Sequence, residues 1–230
     1  MSTFEGFDAD LIAFLGEIAE NNDKTWFDAN RKRFQNSVQA PCLALVRAIA
    51  PGLEAISPHV VADDRKSGGS MMRIFRDTRF SKDKRPYNTH VSFRFRVAGE
   101  KGAPRPGFYL RITADTLTVG TGCWDIDPPG LASMRDAIVE RTDEWLAARD
   151  DAAFRAIFAE LGGESLKRAP RGYPADHPCV EDLKRKNFAA FGDLPHALVT
   201  DPDLPDALLR SYAASRPFMA FVCDALKIPF

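Results

Sequence analysis

Cysteine is scarce in this chain of 230 residues: Cys42, Cys123, Cys179 and Cys223 stand far apart and form no C-x-x-C pair. That spacing argues against a disulfide frame or a zinc ribbon and predicts reduced, buried thiols. Histidine is equally sparse. His59, His90, His177 and His196 show no ligand-like spacing with one another or with carboxylates, so neither a metal site nor a cofactor is expected. No apolar run approaches the ~20 residues that span a bilayer. The opening Met1-Ser-Thr-Phe-Glu-Gly-Phe lacks the basic start and apolar core of a signal peptide. A cytoplasmic protein without membrane contact is the expectation. Net charge is also lacking, at −1 from 31 basic and 32 acidic residues. Attraction to a polyanion must therefore come from a local patch, not from the molecule as a whole. Repeats and low-complexity tracts are missing, and no feature sets an oligomeric state. Gly68-Gly69-Ser70 is not a P-loop, because the Lys-Ser pair precedes the glycines.

What is present reads as one domain, residues 1–230. The 45% hydrophobic and 27% charged content is ordinary for a folded globular chain. Leu11, Phe14, Leu15 and Ile18 recur at helical spacing behind Asp8 and Asp10. Asn21-Asn22-Asp23 breaks and re-caps the chain before a helix that turns Trp26, Phe27 and Phe34 inward. Pro41 starts or kinks a third helix, with Leu43, Val46, Ile49 and Leu53 facing the core until Pro51-Gly52 and Pro58 weaken it. The period then changes to two. Val91, Phe93, Phe95 and Val97 alternate with Ser92, Arg94 and Arg96, a strand with one wet or functional face. Phe108, Leu110 and Ile112 alternate with Tyr109, Arg111 and Thr113, and a turn at Ala114-Asp115 leads to Leu117 and Val119. With Met71–Asp77 read as a further strand, the fold class is α+β. A largely antiparallel sheet of about four or more strands, residues ~70–123, is expected to pack with N-terminal and C-terminal helices. The later helices carry Leu131, Met134, Ile138 and Trp145 behind an Asp127 cap, then Phe154, Ile157, Phe158 and Leu161 stopped by Gly162-Gly163. Stripes at Leu204, Leu208 and Tyr212 and at Phe218, Phe221, Val222 and Leu226 follow.

Charge is unevenly spread. Residues 65–96 hold ten basic side chains and two acidic ones, Asp77 and Asp83, a surplus of eight positive charges in a nearly neutral chain. Arginine grips carboxylate or phosphate through two parallel hydrogen bonds and stays charged when partly buried. On a regular strand, Arg73, Phe75 and Asp77 share one face and Met72, Ile74 and Arg76 the other. Both faces mix charge with apolar bulk, which predicts half-embedded arginines in need of partners. Asp77 and Asp83 can supply some of those partners, giving an internal ion-pair network. They are too few for Arg73, Arg76, Arg79, Lys82 and Lys84 together, and an external anion is the simplest remedy.

The pattern Arg73-x-x-Arg76-Asp77-x-Arg79-Phe80-x-x-Asp83-Lys84-x-x-Tyr87 resembles the signature of a widespread uncharacterised family, a domain of unknown function found mainly in bacteria and also in fungi. The likeness extends to Asn22-x-x-x-Trp26-Phe27-Asp28-Ala29-Asn30, Gly107-Phe108-Tyr109-Leu110, Leu166-Lys167-Arg168-x-Pro170-Arg171-Gly172-Tyr173-Pro174, Asp176-His177-Pro178 and Leu183-Lys184-x-Lys186. It implies membership and no established activity. In the family pattern a histidine often stands where this chain has Arg111, which puts a histidine-based mechanism at that position in doubt here.

Two functional readings follow. In the first, Arg73, Arg76, Arg79, Lys84 and Arg171 bind a small phosphate- or carboxylate-bearing ligand, with Asp77, Tyr87 and His177 as candidates for proton transfer. The loop Lys167–Lys186 would supply Arg171 and His177, although a loop histidine held beside Asp176 is the simpler reading of His177. In the second, ranked lower for want of a nucleic-acid motif, the same basic stripe binds nucleic acid or serves a regulatory module. A purely structural ion-pair network is the third alternative.

Overall fold

A computed structural model describes residues 4–99 and 104–230. Helices open the chain: α1 (Ala9–Glu20), α2 (Lys24–Ala29) and α3 (Arg31–Arg33), which runs through a π-helical segment, Phe34–Gln39, into α4 (Ala40–Ile56). Asp8 caps α1 by accepting from the Asp10 N–H, and Asp23 caps α2 by accepting from the Trp26 N–H. The predicted stripe of α1 is fully buried. Pro41 sits in the first turn of α4, where its missing N–H costs least. Pro51 does not end the helix, which continues to Ile56.

Three strands follow, β1 (Val91–Arg96), β2 (Gly107–Ile112) and β3 (Leu117–Cys123), then α5 (Pro128–Glu140), α6 (Thr142–Arg149) and α7 (Ala152–Ile157). The β2–β3 turn is held by the Thr113 hydroxyl, which accepts from the Asp115 and Thr116 amides. After β4 (Leu161–Gly162) and α8 (Val180–Leu183) comes β5 (Phe188–Leu194), a strand that apolar alternation does not announce. α9 (Leu204–Ala214) and α10 (Arg216–Ala225) close the fold. The five strands form one antiparallel sheet in the order β1-β2-β3-β5-β4, so the α+β class holds, with two strands lying beyond residue 123.

Register divides the sheet into two faces. Phe93, Leu110 and Val119 stand in one row and Phe95, Phe108 and Thr121 in the next, all fully buried on the side that α9 and α10 cover. Tyr212 of α9 stacks on Phe108 at 4.6 Å and donates its hydroxyl hydrogen bond to the Tyr109 carbonyl. Thr121 and Ser215 satisfy each other's buried hydroxyls at 3.0 Å. Under the C-terminal helices, buried Asp182 accepts from the Trp145 indole at 2.9 Å, from Arg149 at 2.6 Å and from Arg185 at 3.1 Å. That fully partnered carboxylate ties α6 to α8.

The outer edge of β1 is not bare. Val61 donates to the Arg96 carbonyl and Ala98 to that of His59, while Met72 donates to Ser92 and Arg94 to Ser70. Met71–Asp77 is therefore not the regular strand its composition suggests. Only Met71 bridges β1. The chain then leaves the sheet, and Phe75 bridges Tyr87 within a separate arm. Asx turns at Asp77 and Asp83 bend the backbone, each side chain accepting from the amide two residues on. All four cysteines are free and buried, and burial pushes the Cys123 thiol up to about 12. No helix among the described residues is long and apolar enough to cross a membrane.

Candidate functional site

The arm, residues 73–88, projects from the β1 edge and is braced at its base. Tyr87 is buried, stacks on Phe27 at 4.2 Å and is clasped by Asn22, whose amide accepts from the Tyr87 N–H and donates to its carbonyl. Burial raises its pKa, so this candidate for proton transfer serves as a hydrophobic anchor.

Asp77 and Asp83 neutralise much of the arm locally. Asp77 takes Arg79 through both oxygens, with Arg79 Nη2 at 2.7 Å. Asp83 takes Arg85 in the same way and also receives Arg76 at 2.8 Å. These arginines hold both carboxyls below the usual range: the Arg79 guanidinium acts first on Asp77, and Arg85 ahead of Arg76 on Asp83. The Asp63–Arg65 pair repeats the Asp-x-Arg clamp. Lys84 donates to the Thr78 carbonyl at 2.9 Å. Arg73 and Arg79 are exposed, and only Arg76 has the half-embedded setting the strand reading implied. An arm with two short rungs and Asx turns has too little apolar cover to bury the others. At its tip Phe80 is 96% exposed, beneath the Arg79 guanidinium at 5.8 Å.

The second candidate region lies elsewhere. The loop bearing Arg171 and His177 is fastened beyond β5, by the Ser165–Arg185 bridge and by Tyr173 donating to Asp136 of α5. His177 accepts from the Cys179 N–H through Nδ1, and its Nε2 lies 3.3 Å from the Thr142 hydroxyl, which ties the start of α8 to α6. Arg171 is exposed. No hydrogen bond or ion pair among the described residues joins this loop to the arm, which lies at the opposite edge of the sheet.

What the fold does gather is a set of side chains on the half-exposed sheet face. Register aligns Ser92, Arg111, Thr118 and Asp193 in one row and Arg94, Tyr109, Gly120 and Phe191 in the next. Of these, Arg94, Tyr109, Arg111, Thr118, Phe191 and Asp193 floor a cavity of about 700 Å³, walled also by Trp124 and by Ile157 and Ala159 at the β5 edge. Arg94 and Trp124 continue into a smaller recess of about 170 Å³ with Arg96, Arg105 and Asp125. Burial, and then repulsion from Arg94 and Arg105, lowers the pKa of Arg96. Positive charge is thus crowded here without a matching set of acids. No ion pair joins Arg94, Arg96 or Arg111 to a carboxylate among the described residues, and the Arg111 Nε is buried without an acceptor. Asp193 accepts from the Thr118 hydroxyl at 2.7 Å. His90, just before β1, has its pKa lowered by burial and then by the Arg111 charge. No three His, Cys, Asp or Glu side chains among the described residues gather as metal ligands.

Sequence reading counted Arg94 and Arg96 in the basic surplus without nominating them, and it did not nominate Arg105, Arg111, Tyr109, Trp124 or Phe191. The signal available was the alternation of polar residues along β1 and β2, which marks one face of a sheet and leaves its partners unnamed.

Residues 10–221 match the family described as conserved hypothetical protein (DUF2461), and the chain belongs to that family. No curated protein and no solved structure matches it.

Proposed function

We propose that this member of the DUF2461 family binds a small anionic ligand, carrying phosphate or carboxylate, in the cleft on the half-exposed sheet face. The observation that carries the reading is the set Arg94, Arg96 and Arg111 on one sheet face, none of which forms an ion pair with a carboxylate among the described residues. Like charges held together in the absence of a ligand repel, and an anion with several oxygens removes that repulsion while accepting charge-assisted hydrogen bonds. Arg111 lines the wider cavity, where a bound group could be oriented. The anion expected from composition is retained, and its seat moves from the arm to the face beside it.

Thermal shift and calorimetry with inorganic phosphate, pyrophosphate and small phosphorylated sugars test this reading. At least one should raise the Tm and bind with an affinity that Arg94→Ala reduces at least tenfold, the loss of a charge-assisted contact. Absence of binding by all of them at low ionic strength removes it.

A second reading concerns the arm. Phe80 is 96% exposed among cations, an arrangement suited to a base stacked on the ring and phosphates beside it. Single-stranded oligonucleotide binding that falls steeply with salt and is lost in Phe80→Ala would favour it; salt-independent or absent binding excludes it.

A further inference from the structure

The cleft has a second compartment that an anion alone does not use. Tyr109, Trp124 and Phe191 form a triangle of rings: Tyr109 to Trp124 at 6.1 Å, Tyr109 to Phe191 at 6.1 Å edge-on, and Trp124 to Phe191 at 5.8 Å. They come from β2, the residue after β3, and β5, so the assembled sheet is what brings them together. Phe191 is 40% exposed, whereas Phe93, Phe95, Phe108 and Phe188 in the same sheet are fully buried. Gly120 lies beneath it. A Cβ there would come 2.9 Å from the Phe191 ring, so only glycine lets that ring settle onto the strand and leave depth above it. The half-open space above them, about 700 Å³, lies within the span of about 300–1,000 Å³ usual for small-molecule sites.

Two donors in this wall lack acceptors, the Trp124 indole N–H and the Arg111 Nε–H, both buried. Buried unpaired donors are destabilising, and both of these belong to side chains that line the cavity. Because Arg94 and Trp124 border both compartments, a molecule with its flat ring in one and its anion in the other needs no gap between the two.

We propose that the ligand of this cleft is a nucleotide, its base held against Tyr109, Trp124 and Phe191 and its phosphate by Arg94 and Arg96. This inference rests on the anion reading above and adds the ring. Charge alone would select any phosphate; the aromatic wall selects one attached to a base.

The test is calorimetry on the full chain with AMP, GMP, CMP and UMP, alongside ribose 5-phosphate and the free nucleosides. At least one nucleoside monophosphate should bind roughly tenfold tighter than ribose 5-phosphate, the increment one stacked base supplies. Phe191→Ala alters a part-exposed side chain and should fold, which circular dichroism checks. It should erase the nucleotide's advantage while leaving ribose 5-phosphate affinity unchanged. Arg94→Ala should weaken both ligands together. Equal affinity for nucleotides and ribose 5-phosphate, or an advantage that survives Phe191→Ala, overturns the nucleotide inference and leaves the anion reading standing. Binding of none of these phosphates overturns both.

Discussion

The arm and the cleft share one basic stretch of chain and treat its charge in opposite ways. In the arm, Arg76, Arg79 and Arg85 each have a carboxylate at hydrogen-bond distance, two of them only two residues away in sequence. In the cleft, Arg94 and Arg96 have no such carboxylate partner among the described residues. Local sequence supplies the arm's counter-charges because an Asx turn folds an aspartate back onto the arginine that follows it. A strand cannot do this, since residues two apart point the same way about 7 Å from each other. Arginines on a strand face depend on what lies across the sheet, and here that is glycine, tyrosine and threonine. Charge surplus along a sequence thus marks two different things: a turn that neutralises itself and a strand face whose arginines take no carboxylate among the described residues.

Four outcomes would break or sharpen that contrast. The largest should come from the arm's anchor. Tyr87→Ala removes a buried ring stacked on Phe27 and should cost about 3–5 kcal/mol, lowering the Tm by roughly 10 °C in calorimetry. Phosphate binding below the transition should persist. If it vanished with the fold intact, the arm would belong to the site and the division would fail.

Arg94→Ala should do the reverse. It relieves like-charge crowding at Arg96, so thermal denaturation should show a Tm unchanged or slightly raised, while phosphate affinity falls at least tenfold. A marked loss of stability would mean that the cleft arginines are structural after all.

The pH dependence should come from His90. Its folded pKa lies below the unfolded value, so the unfolded chain takes up the proton first as pH falls. The contribution is complete above about pH 6.5 and declines below it. His90→Gln should flatten the stability profile between about pH 5 and 7, measured by urea denaturation, and a profile identical to wild type would remove His90 from the account.

The smallest effect should follow Asp83→Asn. The arm keeps its anchor, so the global Tm should stay within about one degree, as for most surface ion pairs. Limited proteolysis near Lys82–Arg85 should speed up, and a cleavage rate identical to wild type would show that the clamp does not order the tip.

How much of this could be read beforehand depended on whether a feature was local. The stripe Leu11, Phe14, Leu15, Ile18 and the alternation from Val91 to Val97 are local periodicities, and both appear as predicted. Helix caps at Asp23 and Asp127 were equally legible, because a cap is a short-range hydrogen bond. β5 was missed because Phe188, Ala189 and Ala190 are all buried, so the first half of the strand does not alternate. The arm's fold was misread because Met71–Asp77 mixes apolar and charged residues on both faces of a supposed strand, whereas the chain leaves β1 just after Met71 and two aspartates turn it within the arm. The cleft was the least legible part. Arg94, Tyr109 and Phe191 become neighbours only once the register Arg94–Tyr109–Gly120–Phe191 is known, and that register joins residues nearly a hundred positions apart.

The backbone that covers the rim of β1 has a consequence for the behaviour of many molecules together. Exposed strand edges recruit strands from other chains and seed aggregates. Here His59–Val61 and Ser70–Met72 occupy the outer hydrogen-bonding positions of β1 without forming a long strand themselves, and the opposite rim ends in the two residues of β4. Among the described residues the sheet therefore offers no long open edge at either rim. The segment preceding the arm thus covers the rim of β1 and, through the Arg94 N–H to the Ser70 carbonyl, holds the strand that carries the cleft arginines.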